Sequence, residues 1–387
     1  MPAMSLSTLL FAVGGCHLMM ALLLLFNRAR TTKLALDPAP PAPPPSVLIV
    51  VPARNEEPNI EACVRSLLAQ DYPRLTVRVV DDHSTDRTAA LVQALADRDP
   101  RLQLCHAPIL PPGWLGKPHA LHAGTQGADA DFLLFCDADL RLQPDAVRRT
   151  VEVAERTQAG LTTLVPTLVA ESFWERAVQP VVGMLLFSLL DPVKVRNPRS
   201  KVAAAYGPYL MFRRSAYEQI GGHTCVASEV IEDLRLAHIV KGAGIPLAYV
   251  HGVDGLEVRM YDSLRGLING WRKNFYISLG SAQWLAPIAA LLILTVFALP
   301  TVGALGVGLA SLFTAVSPKL VQAAAFCYGA DWAARLALAR AFRITPRGIR
   351  SLGGLMVAYI LCLSAYQAAR RLPVTWRGRS YSAAPNS

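Results

Sequence analysis

Charge-free runs at the two ends of the chain enclose a middle section in which short apolar runs alternate with mixed ones. Residues 1–27 contain no Asp, Glu, Lys or Arg. The stretch 5–26 is long enough to span a bilayer as one helix, which takes roughly 20 residues. A secretory signal opens on basic residues, and MPAMSLSTLL has none, so an uncleaved anchor is expected over 1–27. Arg28, Arg30 and Lys33 follow it, which assigns the next segment to the cytoplasm by the positive-inside rule. DPAPPAPPP, residues 37–45, makes 28–45 a basic and proline-stiffened linker. Near the other end, residues 274–318 form a run of 45 without a charged side chain, with Pro300 near its middle. That length predicts a two-helix hairpin. Residues 351–369 are another 19 uncharged positions. Between them, 320–339 is apolar but carries Asp331 and Arg335, a segment that either crosses or lies in the interface. Four C-terminal crossings would return the tail to the cytoplasm.

The section 46–260 has a different rhythm. VLIVVP (47–52), LTVRVVDD (75–82), RLQLCHA (101–107) and FLLFCDAD (132–139) are short apolar runs with the character of buried strands. Helical patterns over 57–70 and 87–96 separate the first three. Alternation of this kind implies an α/β domain with a mainly parallel sheet and ligands at the carboxyl ends of strands. The acids Asp81–Asp82 and Asp137–Asp139 fall at such ends. VQPVVGMLLFSLL, 178–190, is too short to span. It is either a buried core helix or a segment in the membrane surface that admits a lipid.

Composition agrees with a membrane protein: 52% of residues are hydrophobic and 17% charged, the reverse of a disordered chain. The net charge of +10 does not point to nucleic acid, because residues 332–387 hold nine arginines and no acid beside apolar runs. Seven cysteines at 16, 63, 105, 136, 225, 327 and 362 form no C-x-x-C pair. They fit small buried hydrophobes rather than a disulfide framework or zinc site.

Two carboxylates directly after FLLFC need a partner, since a buried unpaired charge is costly. Residues i and i+2 of a strand point the same way. Asp137 and Asp139 then face one ligand together if strand geometry persists. Two hard oxygens suit Mg²⁺ or Mn²⁺ with a diphosphate completing the shell. Alone, D-x-D is equally a loop of solvated acids. Its neighbours narrow the choice: PARNEE (52–57) follows the first strand, DDHSTD (81–86) ends the second, GWLGK (113–117) precedes D-x-D, and SEVIEDLRLA (228–237) follows about ninety residues later.

This ordered set resembles the family 2 glycosyltransferases over about 47–280, and within them the membrane-anchored branch of hopanoid-associated and carotenoid enzymes. GWLGK and WRGRSY (376–381) carry the second likeness. The resemblance implies a GT-A nucleotide-sugar-binding (Rossmann-like) α/β domain plus transmembrane helices. It divides the chain into a GT-A domain at 46–260, an interfacial segment at 261–282, transmembrane helices over 283–369 and a basic tail from 370. By the same resemblance Pro52, Arg54 and Glu56 line the nucleobase and ribose pocket. Asp82 hydrogen-bonds uracil or ribose, unless it and Ser84 only cap the next helix. Lys117 lies near the diphosphate, or is an ordinary surface lysine. Asp137 and Asp139 match the metal carboxylates, Asp139 as the direct ligand. Asp233 matches the general base, with Glu232 beside it in a structural or orienting role, or simply a helix N-terminal acid stabilised by the dipole. The implied reaction is an inverting, metal-dependent transfer from a nucleotide-sugar, chiefly a UDP-sugar, to a membrane lipid or isoprenoid.

The family pattern is not fully kept. His83 stands where D-D-G-S-T-D has glycine, a place His can fill at positive φ. The Q-x-x-R-W of processive members is reduced to Trp271, with Arg272 after it. This favours a single transfer onto a lipid over a polysaccharide synthase. Trp271 and Arg272 are either acceptor contacts or an interfacial belt. His251 is a further candidate ligand, though a lone histidine is more often packed in a core. A nucleotidyltransferase would open on a glycine-rich basic loop where this chain has PARNEE. A non-catalytic membrane subunit is the other alternative, and retention of Asp82, Asp139 and Asp233 together speaks against it. Pro118 after Lys117 rules out a P-loop.

Overall fold

The computed structural model describes residues 4–34, 43–344, 349–370, 372, 374–376 and 379–381. Most of the proline linker at 37–45, and most of the basic tail with Arg377 and Gly378 of WRGRSY, lie outside the described residues. The chain divides into two compact units: residues 30–167 with 191–259, and residues 1–29 with 168–190 and 260–387.

The first unit is the α/β domain. Val47–Ala53, Leu75–Asp81, Leu102–His106 and Phe132–Cys136 are strands, the first three within about a residue of the run that predicts each and the last ending three residues short of FLLFCDAD. Phe132–Cys136, Leu161–Val165 and Leu247–His251 are buried at every position, as strands covered on both faces must be. Helix Ile60–Leu68 turns Ile60, Cys63, Val64 and Leu67 inward, the i, i+3, i+4, i+7 stripe of one helical face. Across the eight-stranded sheet the order is Thr32–Lys33, Leu247–His251, Leu161–Val165, Tyr209–Arg213, Phe132–Cys136, Val47–Ala53, Leu75–Asp81, Leu102–His106. All pairs are parallel except the two made by Tyr209–Arg213. From Val47–Ala53 the chain builds outward to Leu102–His106, then returns to lay Phe132–Cys136 on the other side. That reversal is a topological switch point, where open α/β sheets form a crevice beyond the strand carboxyl ends. PARNEE and Asp137–Asp139 emerge on its two sides.

The second unit is helical: Leu6–Arg30, Phe173–Leu189, Leu264–Leu279, Ala286–Ser311, Pro318–Phe342 and Arg350–Ala369. Among the described residues, three helices are long and apolar enough to cross a membrane, within Leu6–Arg30, Ala282–Ser311 and Arg350–Ala369. The expected hairpin over 274–318 does not form. The run is shared by the end of Leu264–Leu279, a 3₁₀ turn at Gly280–Leu285 and one helix, Ala286–Ser311, that continues through Pro300. A proline deletes one hydrogen bond, and an apolar helix tolerates that loss when neighbours support it. The break comes instead at Pro318, which opens the next helix behind Ser317, whose hydroxyl accepts the Leu320 N–H. Among the described residues, three helices follow Leu264–Leu279, and two of them, Ala286–Ser311 and Arg350–Ala369, are long and apolar enough to cross, where four crossings were expected.

VQPVVGMLLFSLL belongs to helix Phe173–Leu189, opened by a Ser172–Glu175 capping box. Val178 through Met184 are buried, while Leu186 and Leu189 further along are exposed. Asp331 of Pro318–Phe342 is buried and paired: Arg350 Nη1 and His17 Nε2 lie 2.6 and 3.3 Å from its Oδ1, and Arg335 Nε 2.8 Å from its Oδ2. Trp271 is buried, stacked on Phe275 at 5.8 Å with Tyr261 at 6.2 Å. Arg272 beside it is half-buried. All seven cysteines are free, but only Cys63, Cys136 and Cys327 are buried, fewer than expected.

Candidate active site

The first two motifs form one knot at the crevice. Arg54 Nη1 donates to the Asp82 carbonyl at 2.7 Å, and the Asp82 N–H donates to Ala53 O at 2.8 Å. Asn55 and His83 both adopt positive φ, 53° and 56°, so His83 does take the glycine conformation. Asn55 N–H donates to Ser84 Oγ at 3.0 Å, and Thr85 N–H donates back to Asn55 Oδ1 at 2.8 Å. Glu56 N–H donates to Thr88 Oγ1 at 2.8 Å, and Glu57 N–H to Asp86 Oδ2 at 3.2 Å. At the start of helix Thr88–Ala96, Asp86 Oδ1 accepts the Thr88 N–H at 3.0 Å. Ser84 N–H instead meets the Asp81 carboxylate at 3.4 Å. Asp81, Asp82 and Glu56 are all buried, while Pro52 is half-buried.

The strand before D-x-D stops at Cys136 and resumes only at Leu140. Strand alternation therefore does not extend to these carboxylates, because Asp137–Asp139 is a turn. Ala138 is buried and Asp137 and Asp139 are each half-buried. Arg259 N–H donates to the Asp139 carbonyl at 3.5 Å.

Lys117 joins the third, fourth and last motifs. Its helix, Gly116–Gly124, is fixed at the start by Leu115 N–H donating to Ala227 O at 2.7 Å. Its Nζ lies 2.6 Å from Asp137 Oδ1 and 2.7 Å from Glu232 Oε1. This is no ordinary surface lysine. Burial opposes its charge, but the Asp137 and Glu232 carboxylates outweigh burial and hold its pKa well above the usual lysine value. Glu232 and Asp233 open helix Glu232–Gly242. Asp233 Oδ2 accepts the Gly207 N–H at 2.7 Å, and Oδ1 the Leu234 N–H at 2.8 Å. Burial first, then the neighbouring Glu232 charge, pushes the Asp233 pKa up to about 6, against the lowering pull of Lys117.

Gly207 was not among the residues expected at the site. It precedes the antiparallel strand Tyr209–Arg213, whose Tyr209 is in register with Cys136, so the segment before it passes the mouth of the aspartate strand. A Cβ there would lie 3.1 Å from Asp233 Oδ2 and 3.3 Å from Lys117 Nζ. The signal was the Gly-Pro pair in AYGPYLMF, since glycine before a strand marks close approach. His223 was also missed. It is buried against Phe135 at 4.6 Å with Nδ1 2.7 Å from the Tyr217 hydroxyl. Burial, then the Lys117 charge, pushes its pKa down to about 3, so it is neutral. His251 is buried at the end of its strand.

The donor set at the turn fits a hard divalent cation in part. Two carboxylates two residues apart are the right chemistry, and a lysine ammonium already sits against one of them. No group of three His, Cys, Asp or Glu able to hold a metal exists among the described residues, so most of the shell would come from the substrate and water. The structure brings Lys117, Asp137, Glu232 and Asp233 together, and separately Arg54 with Asp82. Trp271 and Arg272 lie in the helical unit.

Residues 48–221 match the family described as Glycosyl transferase family 2. Among curated proteins, the chain is 28% identical to the 4,4'-diaponeurosporenoate glycosyltransferase of Staphylococcus aureus over 268 residues, 65% of this chain and 66% of that protein. It is also 28% identical to the enzyme of the same name from Staphylococcus haemolyticus, over 62% of this chain and 63% of the relative. The matches thus span a little under two thirds of these relatives' length. Among solved structures, a mannosyltransferase of Pyrobaculum calidifontis in complex with GDP-Man and Mn²⁺ aligns over 94% of this chain and 99% of its own, at TM-score 0.49 and 21% identity.

Proposed function

We propose that this protein, whose residues 48–221 match the family described as Glycosyl transferase family 2, is an inverting, metal-dependent glycosyltransferase of that family. It moves a sugar from a nucleotide-sugar, a UDP-sugar foremost, to a hydroxyl or carboxyl of a membrane lipid or isoprenoid. The carrying observation is the convergence of Asp137, Glu232 and Asp233 on Lys117 at the sheet's switch point. Relatives named for a diaponeurosporenoate, together with three apolar helices, support an apolar acceptor presented at a membrane.

Asp233 is the general base. A carboxylate with a pKa of about 6 is ionised at neutral pH yet still basic enough to accept a proton in the transition state. As it takes the acceptor's O–H proton, the acceptor oxygen bonds to the anomeric carbon. The bond from that carbon to the diphosphate oxygen breaks, and the nucleoside diphosphate leaves with the electron pair. Attack opposite the leaving group inverts the anomeric centre. Glu232 orients Lys117, and Lys117 offsets charge gathering on the diphosphate. Asp139, with Asp137, would hold a Mg²⁺ or Mn²⁺ ion that supplies Lewis-acid stabilisation of the same charge. Arg54, Glu56, Pro52 and Asp82 form the nucleoside wall.

The test is nucleotide release by purified protein offered a panel of UDP- and GDP-sugars with Mn²⁺ and a lipid extract. Lipid-stimulated release with one donor is expected, reduced about 10²-fold or more in Asp233→Asn and lost in Asp139→Ala. No release and no nucleotide-sugar binding with any donor would end this reading.

A further inference from the structure

Lys117 and a divalent cation have a common claim on Asp137. We propose that Lys117 makes metal loading depend on the nucleotide: its ammonium keeps a free divalent cation from settling at the Asp137–Asp139 turn until a nucleoside diphosphate arrives. This deepens the reading of the site as a sugar-nucleotide site and rests on it.

The geometry supplies each part. Asp137 Oδ1 is held by Lys117 Nζ at 2.6 Å, so a cation taking that oxygen must displace the ammonium or sit beside it. The ammonium has nowhere distant to go. Glu232 Oε1 grips it at 2.7 Å, its backbone lies in the first turn of Gly116–Gly124, and that turn is anchored through Leu115 to Ala227. Two like charges about 5 Å apart in a half-buried site repel by several times thermal energy. No compensating third acidic, histidine or cysteine ligand stands with the turn among the described residues, whereas Mg²⁺ or Mn²⁺ needs about six oxygens. A diphosphate answers both deficits. It brings oxygens to the metal, and its negative charge gives Lys117 a new partner, releasing Asp137. Metal and nucleotide affinities are then coupled, and coupling is reciprocal: each must tighten the other by the same factor.

The experiment titrates Mn²⁺ into the full-length protein in detergent and follows free Mn²⁺ by electron paramagnetic resonance, with no nucleotide, with UDP and with GDP. Wild type should bind Mn²⁺ alone weakly and at least about tenfold more tightly beside one nucleotide. Lys117→Met should bind Mn²⁺ alone about tenfold more tightly than wild type and bind the nucleotide less well, shrinking the linkage to less than about threefold. Lys117→Arg, which keeps the charge, should retain the linkage. Mn²⁺ binding to wild type that is equally tight with and without nucleotide would overturn the inference without recourse to any variant. Unchanged metal affinity in a folded Lys117→Met protein would do the same. If wild type binds neither Mn²⁺ nor either nucleotide, the sugar-nucleotide reading itself fails; if it binds both independently, only the role of Lys117 fails.

Discussion

Asp233 shows how one residue trades stability for chemistry. Its folded pKa of about 6 lies above the ordinary aspartate value, chiefly through burial and then Glu232. A raised carboxyl pKa means that the fold favours the proton. Below about pH 4 the group is protonated folded or unfolded, and it costs nothing. As the pH rises through 6 the folded protein must ionise a half-buried carboxyl beside Glu232, and stability is lost. Asp233→Asn should therefore raise the thermal midpoint at pH 8 and have little effect near pH 4, while the activity of wild type falls on an acid limb near pH 6. An equal midpoint change at both pH values would show that the substitution acts through packing instead. The order of acids along the chain marked Asp82, Asp137, Asp139 and Asp233 as candidates, and the fold gathers Asp137 and Asp233 about Lys117. Gly207 and the bridge through Lys117 were not legible, because Lys117, Asp137, Gly207 and Glu232 are far apart in sequence and meet only when the sheet closes. Local pattern carries no information about such a meeting.

At the scale of elements, strands were more legible than apolar helices. A strand under a doubly covered sheet announces itself by a short apolar run with acids or turns at its ends, as FLLFCDAD does. An all-apolar run has no period to read, so nothing in 274–318 distinguished a hairpin at Pro300 from one helix through it. What fixes such helices is close packing, and Gly353 is a sharp instance. A methyl there would collide with the Ala177 carbonyl oxygen of helix Phe173–Leu189 and approach Val181 at 3.1 Å. Gly353→Ala should cost about 1–3 kcal/mol through overpacking. Gly329→Ala, where an added methyl meets nothing within 4 Å, should be neutral or up to about 1 kcal/mol stabilising, because alanine favours helix. Thermal unfolding in detergent compares the two. Equal effects would mean that the helical unit adjusts freely at this crossing.

For the whole molecule, the charges beside the first helix predict its orientation. Leu6–Arg30 ends in Arg28 and Arg30, with Lys33 just beyond, while no charged side chain precedes them. Basic flanks are retained on the cytoplasmic side because moving them across the membrane is opposed. The α/β domain follows directly, so it should face the cytoplasm, the side on which nucleotide-sugars would reach the Asp82 and Asp137 crevice. Asp129 offers a probe, since its side chain is 94% exposed and pairs only at the surface with Arg214 at 3.2 Å. Surface pairs of this kind contribute about 1 kcal/mol at most, so Asp129→Cys should leave the fold intact. A membrane-impermeant maleimide should label Asp129→Cys above the wild-type background in inverted vesicles and not in intact cells. Cys16 and Cys362 project from apolar helices and should stay shielded by lipid in both. Labelling of Asp129→Cys in intact cells would reverse the orientation, and with it the supply of donor that the proposed reaction requires.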